Sequence, residues 1–432
     1  MPRRRAVVVG AGIGGLTAAV ALHRRGWHVT VCEAAPAAPV TGAGIGLAPN
    51  ALRALRAVGV DVTPATGGAV PAAMGVRRPD GRWLTRTATA DMAARYGMPP
   101  IAVPRPALTV ALTAALPASA LMYGTAVTGV DGAGRGPVVR TRGGPDLPAD
   151  LVVAADGIHS PLRRAHFPAH PGLSYLGETA WRALVDAPDL GIQAMSETWG
   201  RGERFGVTPL SDGRFYLYAT AVVPAGTRSE DPRAELRRRF GAWHDPIPAL
   251  LDRVDALAPD AVLRHDLYEL AAPLPRLHHG RIAWLGDAAH AMAPNLGQGG
   301  CQAIEDAVVL GHLLPAGGDG DGEGRGEVRR DGEQGDGDDR DEVGGGGGAG
   351  EEGGGLGAAG VPRALAAYTA ARLRRTDAVR VRARRVGRVG ALRHPLAAAA
   401  RDLAVRATPD RLALRGMDDL FDGFRLPDRP TG

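Results

Sequence analysis

The 432-residue sequence has no lysine, so its 51 lysine-plus-arginine positions are all arginine. They are dispersed, and aromatic residues make up only 4% of the chain. Too few rings are available to interleave with the cations as base-stacking platforms, so the net charge of +5 is not a nucleic-acid signature. Cysteine occurs only as Cys32 and Cys301, with no CxxC pair. That excludes a disulfide framework, a zinc knuckle and a dithiol redox centre, and both thiols are expected to be reduced and partly buried. No uncharged apolar run reaches the ~18 residues of a membrane span. Met1-Pro2-Arg3-Arg4-Arg5 leads directly into a strand, without the apolar core of a signal peptide. A cytoplasmic protein with no membrane or nucleic-acid partner is expected. There is no internal repeat, and the 45% hydrophobic fraction suits a soluble globule of two or three domains.

Glycine, with 62 residues, is abundant, and its placement carries the information. The densest stretch is 286–306, GDAAHAMAPNLGQGGCQAIED. Residues 281–285 read as a short buried strand that Gly286 ends, which puts Asp287 at a strand's carboxyl end, where α/β folds hold ligands. From Ala303 onward Ile304, Val308 and Val309 follow a helical period, so 295–300 reads as a glycine loop feeding a helix N-terminus. Such an end carries about half a positive charge and free N–H groups. Gly297, Gly299 and Gly300 let backbone approach a flat, electron-rich ligand.

A second glycine run follows the apolar strand 6–9: Gly10-Ala11-Gly12-Ile13-Gly14-Gly15, then a helix over 16–25. The next strand, 29–32, ends on Glu33 followed by Ala34, at the spacing of a dinucleotide fingerprint. The glycines admit a pyrophosphate and Glu33 accepts from the adenosine ribose. Residues 42–59 read as a glycine-rich loop and a helix carrying Leu52, Leu55 and Val58. Arg105 heads a helix containing Leu108 and Leu112, 124–127 reads as a return strand, and the apolar strand of 150–163 ends in Ala155-Asp156-Gly157. Asp156 either caps the following helix or meets a ligand. Strands dominate 180–223, where Phe215, Leu217 and Ala219 alternate with Tyr216, Tyr218 and Thr220, giving one apolar and one mixed face. The mixed face meets either solvent or a polar, aromatic ligand. Residues 317–360 are mostly Gly, Asp, Glu and Arg and cannot bury a core, so they read as a disordered insertion, with helices resuming near Pro362. The arginine-dense run 372–393 reads as an amphipathic helix with a solvated face.

The stretch GDAAHAMAPNLGQGGCQAIEDAVVL resembles the second FAD-binding motif of the group A flavoprotein monooxygenases, the para-hydroxybenzoate and salicylate hydroxylase family. The glycine run at 10–15, Arg105 with Leu108, and Asp156-Gly157 resemble that family's other motifs, in the same order and over nearly the whole chain outside the insertion. The resemblance implies bound FAD with transient NADH or NADPH. It implies cofactor contacts from Gly10, Gly12, Ile13, Gly14, Gly15, Glu33 and Ala34. Ile45 and Gly46 would pass over the flavin edge, with Gly44 beside them. Arg105 would take the pyrophosphate side, Val127 the adenine, and Asp156 FAD and nicotinamide use, with His159 as polar support. Gly286 and Asp287 would hold the ribityl chain, and Leu296, Gly297 and Gly300 would offer backbone to the ring. Arg182, Tyr216 and Tyr218 would line the substrate pocket, with Pro294 facing the reactive flavin. Tyr216, Tyr218 and His290 are candidates for proton handling, although His290 suits a histidine held by hydrogen bonds.

The implied fold is α/β: a Rossmann-type FAD domain assembled from 1–75, 100–171 and 280–314, and an inserted mixed-sheet substrate domain over 76–99 and 172–279. A disordered insertion at 315–361 and a helical region at 362–432 complete it. The implied reaction is hydroxylation or epoxidation of an electron-rich, aromatic small molecule by O2 through a C4a-hydroperoxyflavin. The protein would be a monomer or homodimer. A flavin dehydrogenase or oxidase on the same scaffold is the alternative, and a non-catalytic flavin-binding protein a third reading. The absence of a second GxGxxG argues against a separate nicotinamide domain, and the absence of Trp-x-Trp against a flavin halogenase.

Overall fold

The computed structural model describes residues 3–38, 43–62, 70–134, 136–318 and 356–429. The apolar strand Arg5–Val9 lies inside a six-stranded sheet whose order is His278–His279, Ile282–Trp284, Leu151–Ala154, Arg5–Val9, His28–Cys32, Leu121–Met122. The central pairs are parallel, Ala6 opposite Leu151 and Arg5 opposite His28, so the carboxyl ends of five strands open onto one edge. Both faces are covered, which is why these strands read as continuous apolar runs rather than alternating ones. Helix Ile13–His23 packs on one side with all but its last residue buried, and helix Gly299–Leu313 lies against it.

A second, seven-stranded sheet runs in the order Leu263–Leu270, Leu173–Asp186, Arg214–Val222, Glu203–Pro209, Ala194–Trp199, Ala73–Arg77, Trp83–Ala88. Its alternation is the expected one. Trp181, Ala183, Phe215, Leu217 and Ala219 point into a separate core with Leu236, Phe240, Leu250 and Leu251 of the helices Pro232–Phe240 and Ile247–Asp255. The opposite face carries Arg182 across from Tyr218 and Leu184 across from Tyr216, and it meets Gly44 through Tyr216 and Asn295 through Arg204.

Four expectations change. The glycines of 44–47 form a strand rather than a loop: Gly44–Leu47 pairs antiparallel with Ile101–Pro104, and those partners supply the hydrogen bonds that local composition could not reveal. The helix after the glycine loop begins at Gly299, four residues before its apolar period becomes readable. Strand Ala73–Arg77 crosses the boundary placed at 75 and His278–His279 falls in the first sheet, because pairing rather than composition decides membership.

The segment 315–361 is also not wholly an insertion. Trp27 Nε1 donates to the Pro315 carbonyl at 3.0 Å and Arg4 N to the Gly317 carbonyl at 2.6 Å, and the long helix Leu356–Gly390 already includes 356–361. Residues 319–355 lie outside the described residues. A Cβ on Gly360 would stand 3.6 Å from Pro315, so the two flanks of that segment are adjacent. Joining Gly318 to Leu356 through a short glycine linker is therefore expected to leave FAD content and turnover unchanged. Loss of either, with the fold intact by circular dichroism, would assign the segment a role.

Candidate functional site

The site forms along the carboxyl ends of the first sheet's parallel strands, and its floor is glycine. Gly10 has φ +103°, and a Cβ there would approach the Ala155 carbonyl oxygen to 2.5 Å. On Gly15 a Cβ would stand 2.0 Å from the Gly10 carbonyl oxygen, and on Gly14 it would stand 2.8 Å from Leu285. These three glycines are required by the protein's own packing. Gly12, Gly46, Gly157 and Gly297 differ: a Cβ on any of them meets nothing within 4 Å. They border a gap that the chain leaves open along the strand ends.

The polar groups around this gap suit a hydroxyl-rich ligand. Asp287 is exposed at the end of a buried strand, the only exposed residue of the run 282–293. Asp156 accepts from Leu162 N at 3.3 Å through Oδ2, while its buried Oδ1 has no partner. One oxygen thus caps the helix Pro161–His166, and the other has no protein donor. Ser160, the cap residue proper, accepts from Arg163 N at 2.8 Å. Such a cap contributes about 1 kcal/mol. Burial raises the Asp156 pKa against the pull of those bonds, so a donated hydroxyl would relieve an under-satisfied carboxyl. Glu33 accepts from Ala11 N and Ala35 N, both at 2.8 Å, and so closes the glycine turn; each oxygen keeps a second lone pair for a ribose. Ala34 is exposed beside it.

Other predicted residues divide similarly. Ile13 is buried in the core, so only its backbone can reach a ligand. Arg105 is exposed at the first helical position of Arg105–Ala114, its N–H bonded to the Ala43 carbonyl, while Leu108 is buried beneath. Val127 opens its strand half-buried, and His159 is exposed. Gly286 has φ +58° and donates to Asp306 Oδ2 at 3.0 Å. Ile45 lies over Gly300, where a Cβ would meet its side chain at 2.9 Å. Pro294 starts a single turn, Pro294–Leu296, that ends on left-handed Gly297, and it is exposed.

On the facing sheet Tyr216 sits against Gly44, where a Cβ would come 2.6 Å from its own. The charge of Arg182, on the same face, acts on the Tyr216 phenol. Tyr218 lies across Gly206 and donates to Glu197 at 3.2 Å, so its hydroxyl is committed and its remaining role is ring contact. Burial raises both phenol pKa values, so neither supplies a phenolate near neutral pH. His290 is buried and bonded through Nε2 to Asp306, the supporting role rather than a catalytic one.

Two networks were not legible in the sequence. Arg204 is 3% exposed; it binds Glu178 and, at 3.3 Å, Glu197, and it donates to Asn295 Oδ1 at 2.5 Å, fastening the turn after Pro294 to the facing sheet. Asn295 Nδ2 in turn donates to the Ala383 carbonyl of the long helix at 3.2 Å. Behind the glycine loop, Arg372 is buried between Glu305 at 2.5 Å and Asp306 at 2.7 Å. The arginine run is therefore not simply a solvated helix face: Arg372 and Arg380 are buried, while Arg374, Arg385 and Arg388 point outward. The signal available beforehand was the acid pair Glu305-Asp306 within an apolar helix, which demands a buried cation.

A parallel-sheet crevice with open glycines, an unpartnered carboxyl oxygen and a helix N-terminus defines a flavin-nucleotide oxidoreductase, and FAD fits these residues. The chain belongs to the FAD-dependent aromatic monooxygenases: the family model described as "FAD binding domain" matches residues 3–326. It is 39% identical over 311 residues to an aurachin C monooxygenase/isomerase of Stigmatella aurantiaca, covering 71% of this chain and 80% of that one. It is 34% identical over 317 residues to an FAD-dependent urate hydroxylase of Klebsiella pneumoniae, covering 72% and 81%. The structure of Klebsiella pneumoniae HpxO with FAD and uric acid superposes with TM-score 0.81 at 29% identity over 98% of both chains. The protein is thus an FAD-dependent, NAD(P)H-using monooxygenase that hydroxylates an aromatic substrate. No described helix is long and apolar enough to cross a membrane.

Asp287→Ala is expected to lower FAD affinity at least ten-fold, the size of a lost charge-assisted hydrogen bond at about 1.5–3 kcal/mol. Far-UV circular dichroism should stay the same. Unchanged FAD retention would defeat the ribityl assignment.

Proposed function

We propose that the face bearing Arg182 and Tyr216, which packs beside Gly44, takes an acidic, hydroxylated aromatic or N-heteroaromatic ring, and that the protein oxidises it in the cytoplasm with NADH or NADPH. The observation that carries this reading is Arg182: half-buried on the face it shares with Tyr216, whose phenol its charge acts on, and with no carboxylate in ion pairing among the described residues. A half-buried guanidinium favours an anion, and here the substrate would supply it. Names among the relatives agree in class, since urate, 6-hydroxynicotinate and 3-amino-4-hydroxybenzoate are acidic rings.

In this reading the cofactor unit draws on 1–72, 100–171 and 278–314, and the substrate unit on 73–99 and 172–277. Bound FAD supplies the redox chemistry, taking hydride from the nicotinamide and activating dioxygen. The chain holds it through the backbone at Gly10, Gly12, Gly14 and Gly15, through Glu33, Arg105 and Val127 on the adenosine and pyrophosphate side, and through Asp156, Gly286 and Asp287. Leu296, Gly297 and Gly300 present backbone at the N-terminus of Gly299–Leu313, where the helix dipole stabilises negative charge on a reduced ring. Arg182 and Tyr216 orient the substrate, the Tyr218 ring packs beside it, and Pro294 shields the reacting face from water. One chain completes the cleft, so a monomer or homodimer suffices.

Arg182→Gln should raise Kd for acidic ring ligands about ten-fold or more, as expected for a charged hydrogen bond worth 1.5–3 kcal/mol, and leave neutral ring amides unaffected. Flavin-absorbance titration reads both. Equal loss for acidic and neutral ligands, or no loss, would remove Arg182 from the pocket.

A further inference from the structure

Among the described residues the most exposed leucines are Leu396 at 74%, Leu403 at 70% and Leu412 at 58%. All three lie on the two short helices that follow the long one, Pro395–Ala407 and Asp410–Arg415. The inner face of Pro395–Ala407 is well fastened: Ala398 and Arg401 are buried, and Arg401 donates to the carbonyls of Gly200 and Gly390, both at 3.1 Å, with Trp199 at 5.5 Å beneath its guanidinium. Asp402 pairs with Arg401 at 2.7 Å. The outer face repeats Leu396, Ala399, Ala400, Leu403 and Ala407, all exposed, at helical spacing. A helix rigidly docked by its polar side presents its apolar side to the outside, the reverse of an ordinary surface helix.

The surroundings are cationic. Residues 388–415 hold six arginines against two aspartates. Arg393, Arg406 and Arg411 are exposed and have no ion-pair partner among the described residues. A second copy of this chain would bring the same uncompensated arginines face to face across a two-fold contact. Nucleic acid would leave the leucines in water and find no aromatic ring here for stacking. An anionic bilayer accepts both features, leucine side chains at the boundary of headgroup and acyl chain and guanidinium groups on lipid phosphates.

We propose that the outer face of Pro395–Ala407, with Leu412, docks reversibly on an anionic membrane surface through Leu396, Leu403, Arg406 and Arg411. Three leucines give a peripheral, salt-sensitive association rather than permanent anchoring. The proposal is independent of which ring the enzyme oxidises, since none of these residues borders the flavin cleft.

The test is co-sedimentation of the full, FAD-loaded chain with vesicles of phosphatidylcholine containing phosphatidylglycerol, and with vesicles of phosphatidylcholine alone. Binding is expected to the anionic vesicles only, and to fall as salt rises. Leu396→Glu with Leu403→Glu should lower the vesicle-bound fraction about ten-fold or more. Arg406→Gln and Arg411→Gln should each lower it roughly five-fold. FAD absorbance and melting temperature should hold in all variants, because these side chains are exposed. Absence of binding by the unmodified chain, equal binding to neutral vesicles, or binding indifferent to the leucine changes would overturn the proposal. So would a concentration-dependent dimer that the same leucine changes dissolve, which would give the face to a second copy.

Discussion

Replacing Arg372 with methionine is expected to destabilise the protein by about 3–5 kcal/mol and to lower FAD content with it, because the change removes the one cation that two buried carboxylates share. Glu305 and Asp306 are both fully buried, on the helix whose N-terminus carries the glycine loop. Arg372 bonds both, Arg375 adds a second bond to Glu305 at 2.7 Å, and His290 and Gly286 N complete Asp306. Burial alone would raise these carboxyl pKa values, yet both are held below the usual carboxylate range. His290 and Arg372 do this at Asp306, and Arg372 and Arg375 at Glu305. A carboxyl whose folded pKa is depressed stabilises the fold above its unfolded value and loses that contribution as pH falls through the folded one. The melting temperature should therefore hold from neutral pH down to about pH 4, the ordinary carboxylate value, and fall below it. In Arg372→Met the two groups lose the cation they share and keep only Arg375 and His290, and that acid arm should move toward neutral pH. Thermal melts across pH, with flavin content read by absorbance, check both statements. An unchanged melting temperature at pH 7 would mean that Glu305 and Asp306 are satisfied without Arg372.

The second large effect separates two kinds of glycine in one motif. Gly12 has φ −68° and ψ 172°, ordinary values for any residue, and a Cβ there meets no protein atom within 4 Å. Gly12→Val should leave the fold and its melting temperature near normal while weakening FAD binding ten- to hundred-fold, the effect of roughly 1–3 kcal/mol of overpacking on the pyrophosphate side. Gly15→Val should behave in the opposite way. Its Cβ would lie 2.0 Å from the Gly10 carbonyl, so the chain itself is destabilised by at least the upper end of that range, with or without cofactor. Equal loss of stability in the two variants, measured on protein freed of flavin, would show that Gly12 serves packing rather than the cofactor.

The glycine run at 10–15 was legible because strand, turn, helix and Glu33 are contiguous, and each element follows from a local rule. The stretch 286–306 was legible for the same reason, down to Asp287 at the strand end. The strand Gly44–Leu47 was not, since glycine argues for a loop until Ile101–Pro104 pairs with it. The start at Gly299 was hidden because its first turn is glycine and carries no apolar period. Least legible were Arg204 and Arg372. Arg204 reaches Asn295 across 91 residues, and Arg372 reaches Asp306 across 66, beyond segment 319–355. Composition can show that buried acids need cations, but which of many arginines supplies them is settled only when the sheets come together. The face carrying Leu396 and Leu403 was equally hidden, because it becomes an outer face only once Arg401 is fixed to Gly200 and Gly390.

The central claim is that this chain places one atom of dioxygen on an acidic ring held at Arg182 and Tyr216. The most direct measurement is turnover of the FAD-loaded protein with NADH or NADPH under isotopically labelled dioxygen, over hydroxylated benzoic, pyridine and purine acids, with products read by mass spectrometry. The account predicts a ring product carrying one labelled oxygen, formed in step with nicotinamide oxidation. Oxidation of the ring without dioxygen, or nicotinamide oxidation that returns all of the label as hydrogen peroxide with every ring, would contradict it and favour a dehydrogenase or oxidase.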